Sequence, residues 1–564
     1  MRIYKEPIQK YQYVFDYHFS LEILNFCRII KLHYNQRDFH FVYKKWRFNN
    51  LEIIKLIKEQ YPQVIIDANM YEDMEKYKRK QNLILEQIKK AKEIKSKLNT
   101  DLKIKNIKGE LYPYQKIGVE FMINSGGKTM LIDQPGLGKS LQALAYVAHH
   151  EMKKVLVICP ASVKFVWEDE VVKWTDYDPL IINGKTSLLP STILQHQIII
   201  INYDILKKFH ATLQNIPWDC VIIDEFHYLK NSAALRSKYT KSIAKNIPSI
   251  LLLSGTPLLN RPVELFNGLQ LVDPDSWKDW IFFTKRYCAG HQTYFGWDCS
   301  GASNIEELKT KMDRYFIRRT KQNVLHDLPP KRYIYLPTTI DDESAANYKL
   351  AENSFIQYLR EVKKKNISPT SKEVRAMKLV KLNELRQIAS NGKIESAKEV
   401  IQNIIDGGEK IVVFSSYNKP LETLKGYFGA KAVMLTGQTE EDERKQAVRS
   451  FQDDEKVNIF LGGIKSAGVG ITLTASSNVL FLDYSWVPAD HLQSMDRCHR
   501  IGSKGDKVTI YQMYSKDTID EYMRDILEKK QEIISQILND TTGTIDSDLS
   551  LFSDIEKKYE QLAT

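Results

Sequence analysis

Residues 133–140 read DQPGLGKS, between an apolar segment, TMLI (129–132), and an apolar helical pattern, LQALAYVA (141–148). The glycines of such a loop let backbone N–H groups close around phosphate oxygens, and the following helix directs its positive end at them. We expect Lys139 to neutralise the β- and γ-phosphates of a nucleotide and Ser140 to ligate Mg²⁺. The loop therefore predicts a nucleotide site made of Asp133, Gln134, Gly136, Leu137, Gly138, Lys139 and Ser140.

Short, almost continuous apolar runs surround this loop and recur in the second half of the chain. Such runs are typical of buried parallel strands that carry functional loops at their carboxyl ends. The first set is KVLVICP (154–160), QIIIINYD (197–204), CVIIDEFH (220–227) and SILLLSGTP (249–257). The second set is KIVVFSSY (410–417), KAVMLTG (431–437), VNIFLGG (457–463), NVLFLDYS (478–485) and KVTIYQMY (507–514). The predicted fold class is α/β, with two tandem doubly wound lobes.

The rest of the chain predicts smaller units around these lobes, since 564 residues exceed a single core. Aromatic runs alternate with a helical stretch near the start, which indicates a small α+β module. The predicted organisation is the module at 1–70, a lysine-rich amphipathic helical linker at 71–108, the first lobe at 109–275, a mainly helical bridge at 276–395, the second lobe at 396–537 and a loosely ordered acidic tail at 538–564.

Two further motifs complete an ATPase pattern. Asp224 and Glu225 follow a buried strand, where Asp224 is expected to hold Mg²⁺ and Glu225 to orient and deprotonate the attacking water. Farther on, the chain reads QSMDRCHRIG (493–502), which places Arg497 and Arg500 one helical turn apart. We expect both guanidinium groups to face the γ-phosphate across a cleft and stabilise transition-state charge.

Composition limits the classes of protein to which this chain can belong. The net charge of +11 favours a polyanionic partner, and no apolar run is long enough to span a bilayer. The start lacks an apolar signal core, so we expect an intracellular protein, in the cytoplasm or nucleoid if the source is bacterial or phage. The six cysteines contain no C-x-x-C pair, and packing is favoured over a Cys288–Cys299 bridge or a metal site with His291.

The motifs together resemble those of Swi/Snf-type DNA translocases within the superfamily-2 helicases. The resemblance covers about residues 110–530 and rests on ordered motifs: LYPYQKIGV, DQPGLGKS, PASVKFVWEDEVVKW, DEFHYLKN, LSGTPLLNRPVELFN, IRRTKQNVLHDLPPK, AGVGITLT and QSMDRCHRIG. It implies that both lobes are RecA-like. The chain departs from the usual DEMGLGKT at Gln134 and Pro135, and it has Ser503 where the family has Gln.

The resemblance implies roles for further residues. Gln115 would read adenine, and Gly470 and Gln493 would contact the nucleotide from the second lobe. Arg318 and Arg319 would brace the lobe junction. The residues expected to relay nucleotide state to DNA are His227, Ser254, Gly255 and Thr256. The residues expected to contact the DNA backbone, without reading sequence, are Ser162, Lys164, Tyr203, Ser415, Ser416, Ser466 and Thr472.

The implied function is a DNA-dependent ATPase that translocates on duplex DNA and remodels or anneals branched DNA, most similar to the annealing-helicase branch. In that branch a small HepA-related domain precedes the motor. We expect a monomer that uses ATP and Mg²⁺. Two alternatives stay open, a strand-separating helicase and an ATP-gated subunit of a larger DNA-defence or remodelling complex. In the N-terminal module, Trp46, Phe48, Phe41 and Tyr43 either stack on bases or fill a core, and the core is favoured.

Overall fold

The computed structural model arranges the chain in four sheets with helices around them. The residues that it describes are 1–8, 11–17, 20–33, 39–42, 45–48, 51–184, 190–255, 262–293, 296–299, 301–325, 330–365, 372–467, 471–486, 488–500, 503, 507–525, 555 and 558–561. Within these ranges no helix is both long and apolar enough to cross a membrane.

The N-terminal module is a five-stranded sheet with two helices. Its elements are β1 (Arg2–Ile8), β2 (Tyr11–Asp16), α1 (Leu21–His33), β3 (Phe39–Val42), β4 (Lys45–Phe48), α2 (Glu52–Gln60) and β5 (Ile65–Ile66). The strand order is β3-β4-β2-β1-β5, with β1 and β5 parallel and the other pairs antiparallel.

The aromatic residues of β4 fill the core of this module. Trp46 and Phe48 are 3% and 0% exposed, whereas Phe41 of β3 is 46% exposed. The Trp46 indole donates a hydrogen bond to the hydroxyl of Tyr17 over 3.2 Å. The preference for core packing is confirmed for Trp46 and Phe48, which cannot stack on bases in this arrangement. Tyr43 lies outside the described residues.

A long helix, α3 (Tyr71–Lys95), joins the module to the first lobe. The amphipathic helix expected from the lysine-rich pattern is therefore present. Its buried face consists of Ile88, Ala91 and Ile94, because these residues recur at helical spacing. At the same end Lys95 pairs with Asp313 over 2.8 Å, which ties the helix to the first lobe.

The first lobe surrounds a seven-stranded parallel sheet. Its elements are α4 (Pro113–Asn124), β6 (Lys128–Leu131), α5 (Lys139–His149), β7 (Val155–Cys159), α6 (Lys164–Trp174), β8 (Pro179–Ile181), α7 (Pro190–Gln195), β9 (Ile198–Asn202), α8 (Leu206–Gln214), β10 (Cys220–Asp224), α9 (Leu235–Ala244), β11 (Ser249–Leu253), α10 (Pro262–Val272), α11 (Trp280–Tyr287), the β12 (His291–Thr293) and β13 (Gly296–Asp298) hairpin, α12 (Ile305–Met312), β14 (Phe316–Ile317) and α13 (Lys321–Val324). The strand order is β14-β6-β11-β10-β7-β9-β8. Two hydrophobic clusters cover its faces, so the central strands are buried on both sides.

The second lobe surrounds a six-stranded parallel sheet. Its elements are β15 (Lys331–Thr338), α14 (Asp342–Lys364), α15 (Lys372–Asn391), α16 (Ile394–Asp406), β16 (Ile411–Ser415), α17 (Asn418–Phe428), β17 (Ala432–Leu435), α18 (Glu441–Asp453), β18 (Ile459–Gly463), α19 (Ile464–Ala467), β19 (Asn478–Phe481), α20 (Pro488–Met495) and β20 (Val508–Ser515). The strand order is β15-β20-β19-β16-β18-β17. The predicted α/β class with two doubly wound lobes is confirmed, and every apolar run quoted for the two sets forms a strand.

Two expected boundaries differ from the observed ones. Within the bridge expected at 276–395, β14 joins the first sheet beside β6 and β15 joins the second beside β20, so the helical part is reduced mainly to α14 and α15. In the tail expected to be loosely ordered, residues 558–561 are helical. Ile555 and Tyr559 are both 0% exposed, and the Tyr559 ring contacts Phe355 at 5.2 Å between centroids. Two apolar residues four apart suffice to dock this segment.

Candidate functional site

The phosphate loop connects β6 to the first turn of α5. Gly136 and Gly138 adopt positive φ angles of 88° and 73°, which side chains other than glycine rarely allow. A Cβ on Gly138 would lie 2.5 Å from Nε2 of Gln115. At the start of α5 the Lys139 ammonium donates to the carbonyl of Asp133 over 2.9 Å, and burial lowers the pKa of Lys139 although Glu225 and Asp133 oppose the shift. The loop thus has the backbone and the cation expected for phosphate.

Asp133 anchors the loop from behind. Its carboxylate is fully buried and accepts hydrogen bonds from the Arg319 side chain, from the Arg319 amide over 3.0 Å and from Gln142 over 3.1 Å. Arg319 also donates to the carbonyl of Tyr114. The side chain of Asp133 therefore stabilises the conformation of the loop. Arg319 makes these contacts within the first lobe, whereas it was expected to brace the junction between the lobes. Burial lowers the pKa of Arg318, its neighbour.

Gln115 lies at the third position of α4, next to the same loop. Its Oε1 accepts from the amide of Tyr112 over 3.0 Å, and its Nε2 donates to the carbonyl of Leu137 over 3.2 Å. Only 2% of Gln115 is exposed. The amide thus caps its own helix and supports the phosphate loop. Its expected contact with adenine remains a prediction.

Asp224 and Glu225 lie at the carboxyl end of β10, facing the loop. Asp224 Oδ2 accepts from the Trp167 indole over 2.9 Å, and Oδ1 accepts from the Glu225 amide over 2.9 Å. Burial and the adjacent Glu225 carboxylate raise the pKa of Asp224. Burial acts the same way on Glu225, but the His227 hydrogen bond and the charges of Lys139 and Arg497 outweigh it and lower the pKa of Glu225. Glu225 is thus held ionised, as a general base requires.

Two of the four expected coupling residues contact Glu225, and a third lies against the phosphate loop. His227 Nδ1 lies 3.1 Å from Glu225 Oε2, and the Ser254 hydroxyl donates to the same oxygen over 3.2 Å. Gly255 approaches the phosphate loop so closely that a Cβ there would lie 2.6 Å from Pro135 Cγ and 3.3 Å from Lys139 Nζ. The carboxylate and the ammonium are therefore in contact with the segment after β11. Thr256 lies outside the described residues.

The second lobe brings its arginines to this cleft. A Cβ built on Gly136 would lie 3.0 Å from Arg500 Cγ, so Arg500 packs directly on the phosphate loop. Arg497 is 6% exposed; burial and the neighbouring Arg500 charge lower its pKa to about 9. The Arg497 guanidinium therefore stays charged at neutral pH. Gln493 is half-buried in α20 on the same segment, and Gly470 lies outside the described residues.

The oxygen ligands expected for Mg²⁺ suit that ion. Ser140 lies in the first turn of α5, and Asp224 offers carboxylate oxygens beside the Glu225 charge. Burial and the adjacent Glu225 charge raise the pKa of Asp224, and a hard divalent cation at this place would offset both effects. In the part of the chain that the structure describes, no three His, Cys, Asp or Glu side chains form a metal cage.

In the first lobe, the expected DNA-contacting residues follow β7 and β9. Ser162 lies in a short 3-10 turn after β7. Lys164 is 6% exposed, and its ammonium donates to Asn183 over 2.9 Å. Tyr203 is 3% exposed; its hydroxyl donates to the carbonyl of Asp224 over 2.7 Å, and its ring stacks on Tyr228. The polar ends of these two side chains thus point into the lobe, and their expected contact with the DNA backbone remains a prediction.

In the second lobe, the expected DNA-contacting residues are divided between inward and exposed positions. Ser415 is buried and donates to Asp483, whereas Ser416 is exposed and donates its amide to the same carboxylate over 2.8 Å. Ser466 donates to the carbonyl of Gly463 over 3.2 Å. Thr472 is exposed and accepts from Arg500 over 3.2 Å, which connects the loop expected to contact DNA to the arginine segment.

Several residues at the site had no predicted role. Trp167 holds Asp224, Gln142 holds Asp133, and Lys321 reaches the second lobe, where its ammonium lies 2.8 Å from Asp496. Trp167 and Lys321 lie within motifs quoted from the sequence, but spacing alone does not reveal what a side chain faces. The cysteines are all free; Cys299 is half-buried and the other five are buried.

Comparison with known proteins agrees with this geometry. Residues 114–394 match the family model of the SNF2-related domain, and residues 392–502 match the helicase conserved C-terminal domain. A Caenorhabditis elegans homolog of SWI/SNF-related matrix-associated actin-dependent regulator of chromatin subfamily A-like protein 1 is 31% identical over 82% of this chain and 67% of its own length.

Two further comparisons concern a relative that is matched over a smaller share of its own length and a solved structure. The bovine DNA annealing helicase and endonuclease ZRANB3 is 31% identical over 77% of this chain, which spans only 41% of that relative. A solved structure of the Sulfolobus solfataricus SWI2/SNF2 ATPase core in complex with double-stranded DNA is 25% identical and has a TM-score of 0.39. The match covers 82% of this chain and 98% of that chain. From the family models and the nematode relative, the chain belongs to the SWI/SNF-related family of helicase-like ATPases.

Proposed function

We propose that this chain is a DNA-dependent ATPase that moves along duplex DNA and remodels or anneals branched DNA. One observation carries the proposal: Arg500 of the second lobe packs on Gly136 of the phosphate loop, so a single cleft holds groups from both lobes. Arg497 lies near enough to contribute to the lowered pKa of Glu225. A site divided in this way hydrolyses ATP only when the lobes are together.

The roles in hydrolysis follow from the contacts. Lys139 and the loop amides bind the β- and γ-phosphates, and Glu225, kept ionised by His227, accepts the proton of the attacking water. Arg497 and Arg500 stabilise charge on the transferred phosphoryl group. Mg²⁺, held by Ser140 and Asp224, would supply further charge neutralisation at the phosphates.

DNA is proposed to act on this cycle through the loops at the carboxyl ends of the strands. Loops of both lobes, containing Ser162 and Ser416, would hold phosphates of one strand through backbone amides and hydroxyl groups. Thr472 contacts Arg500, and Tyr203 contacts the Asp224 backbone, so both DNA-facing surfaces connect to the site. Because a ligand shifts only an equilibrium between states that it binds unequally, DNA must favour the closed lobes.

Branched DNA is the proposed substrate because of the relatives. ZRANB3 is named as a DNA annealing helicase and endonuclease, and this chain matches 41% of it. Because the match leaves more than half of that relative uncovered, the proposal takes up its annealing activity and not its nuclease activity. The net charge of +11 agrees with sequence-independent binding to the phosphate backbone.

The test is a pair of strand assays with the purified chain and a Lys139→Ala control. One substrate is a plasmid bubble held open by a single-strand binding protein, and the other is a tailed duplex that reports strand separation. ATP-dependent closure of the bubble without separation of the tailed duplex is the expected result. Net unwinding would indicate a strand-separating helicase. No ATP turnover with any DNA would indicate a subunit that needs a partner.

A further inference from the structure

Lys321 is held by the phosphate loop through its backbone. It begins α13, directly after the segment that runs beside β6. The Lys321 amide donates to Gln134 Oε1 over 2.7 Å, and the Gln134 amide donates to the carbonyl of Arg319 over 3.0 Å. Arg319 is itself bound to Asp133. The backbone of Lys321 is therefore fixed to two residues of the loop that surrounds the nucleotide phosphates.

The side chain of Lys321 ends in the other lobe. Its ammonium donates to Asp496 Oδ1 over 2.8 Å and to the carbonyl of His499, and only 4% of the residue is exposed. Asp496 precedes Arg497, and His499 precedes Arg500. Asp496 Oδ1 also accepts a hydrogen bond from the Lys331 ammonium over 3.0 Å. The backbone carbonyl of Asp496 accepts a hydrogen bond from Arg500 Nε over 3.0 Å.

Close packing leaves little freedom at this contact. A Cβ on Gly136 would lie 3.3 Å from Lys321 Cε as well as 3.0 Å from Arg500 Cγ. A shift of the phosphate loop therefore presses on both side chains. Because a buried ammonium needs its carboxylate partner, Lys321 and Asp496 must move together or separate at a cost.

We propose that Lys321 is a positioning residue that transmits the state of the phosphate loop to Arg497 and Arg500. The inference rests on the proposed ATPase function of the same cleft. Gln134 fixes the lysine backbone at the loop, and the ammonium binds the Asp496 carboxylate and the His499 carbonyl, each directly before one of the two arginines. Lys321 touches no reacting atom; it sets the place at which the guanidinium groups meet the phosphates.

The chain offers a matched control. Lys331 donates to the same oxygen of Asp496, but it lies on β15 of the second lobe, so its contact does not cross the cleft. Lys321→Met and Lys331→Met each remove one ammonium from one carboxylate. A purely local role for the charge predicts similar effects, whereas a link between the lobes predicts a larger effect for Lys321.

Kinetics give the first readout. For Lys321→Met we expect kcat for ATP with duplex DNA to fall at least about 10-fold while KM changes less than about 3-fold, because an interaction needed in the transition state is lost. Lys321→Arg should recover part of kcat, and Lys331→Met should lose less than about 3-fold. Equal losses for the two methionine variants, or a normal kcat for Lys321→Met, would overturn the proposal.

A distance measurement separates this inference from the ATPase proposal. Spin labels at Glu151→Cys in the first lobe and Glu455→Cys in the second, in a Cys299→Ser background, report the lobe separation without turnover. We expect one narrow distribution for the parent chain and for Lys331→Met with a non-hydrolysable ATP analogue, and a broader, longer one for Lys321→Met. Identical distributions overturn the inference.

The two proposals can then fail separately. A parent chain without ATPase activity whose distance distribution still depends on Lys321 would refute the function and keep the link. If Lys321→Met does not fold, the lobe distances of Gln134→Ala carry the same test, because this change removes the acceptor of the Lys321 amide and keeps the backbone of the phosphate loop. Normal distances and a normal kcat in Gln134→Ala would then overturn the inference.

Discussion

The Trp167 indole donates a hydrogen bond from Nε1 to Oδ2 of Asp224 over 2.9 Å. Trp167 lies in α6, the helix that begins directly after the turn containing Ser162, and it is 1% exposed. One side chain therefore joins an expected DNA-facing turn to the carboxylate expected to hold Mg²⁺. We propose that this connection gives DNA bound at that turn a short path to the nucleotide site.

Trp167→Phe keeps most of the buried volume and removes this hydrogen bond. Loss of a hydrogen bond to a charged group is worth about 1.5–3 kcal/mol, so we expect DNA-stimulated kcat to fall roughly 10-fold or more. The control is Trp174→Phe in the same helix, whose indole donates to Glu170 over 2.8 Å, away from Asp224. The steady-state rate of ATP hydrolysis measures kcat for both variants. Equal activity of the two variants would contradict the assigned role of Trp167.

Gly138→Ala tests the shape of the phosphate loop. The φ angle of 73° strains any L side chain by about 1–2 kcal/mol, and the new Cβ would also meet the Gln115 amide. We expect affinity for a fluorescent ATP analogue to fall at least about 10-fold, because both the loop and its support are displaced. Gly126→Ala has a similar φ of 62° with no atom within 4 Å, so it carries only the strain. Gly126→Ala should therefore keep the nucleotide affinity of the parent chain.

Two aromatic residues of the N-terminal module should respond in opposite ways. Trp46 is buried, so Trp46→Ala should destabilise the module by about 3–5 kcal/mol. Phe41→Ala removes a half-exposed ring and should leave the melting temperature nearly unchanged. Thermal melts followed by fork-DNA binding separate stability from recognition. A Trp46→Ala chain with a parental melting temperature would contradict the core assignment.

Stability should also depend on pH through His491. The Ser485 amide donates to His491 Nε2 over 2.7 Å, and burial lowers the pKa of His491 to about 4, with the Arg386 charge acting in the same direction and Asp483 against it. The folded state therefore favours the neutral imidazole of His491. The free energy of unfolding is unaffected by this group above about pH 6.5, and it decreases by up to about 3 kcal/mol as the pH falls to 4.

Urea unfolding of the parent chain and of His491→Gln at pH 7 and at pH 4.5 measures that dependence. Glutamine can still accept the Ser485 amide but does not titrate, so the variant should lose less stability over the interval. Parallel loss of stability in the two proteins would show that other groups cause the acid sensitivity.

The sequence predicts the strands and the ATPase residues because both are local patterns. Apolar runs mark the buried strands, and Lys139, Glu225 and Arg500 lie within contiguous motifs. Contacts between distant segments leave no such signal. The bond from Trp167 to Asp224 joins residues 57 positions apart, and the link from Lys321 to Asp496 joins residues 175 apart. The same limit explains β14, which is recognisable only by its pairing with β6.

The residues expected to contact DNA show that a position within a motif does not determine the direction of a side chain. Lys164 and Tyr203 lie in the right loops, yet Asn183 and the Asp224 carbonyl hold their polar ends inside the lobe. Sequence position identifies the loop, whereas the rotamer depends on packing. Their expected part in DNA binding stays a prediction, carried by the backbone of those loops.

The most direct test of the account is the rate of ATP hydrolysis by the purified chain with and without duplex DNA, beside Glu225→Gln. The account predicts that duplex DNA raises kcat at least about 10-fold and that Glu225→Gln abolishes turnover while keeping nucleotide binding. A rate that duplex DNA leaves unchanged, or one that survives Glu225→Gln, would contradict it.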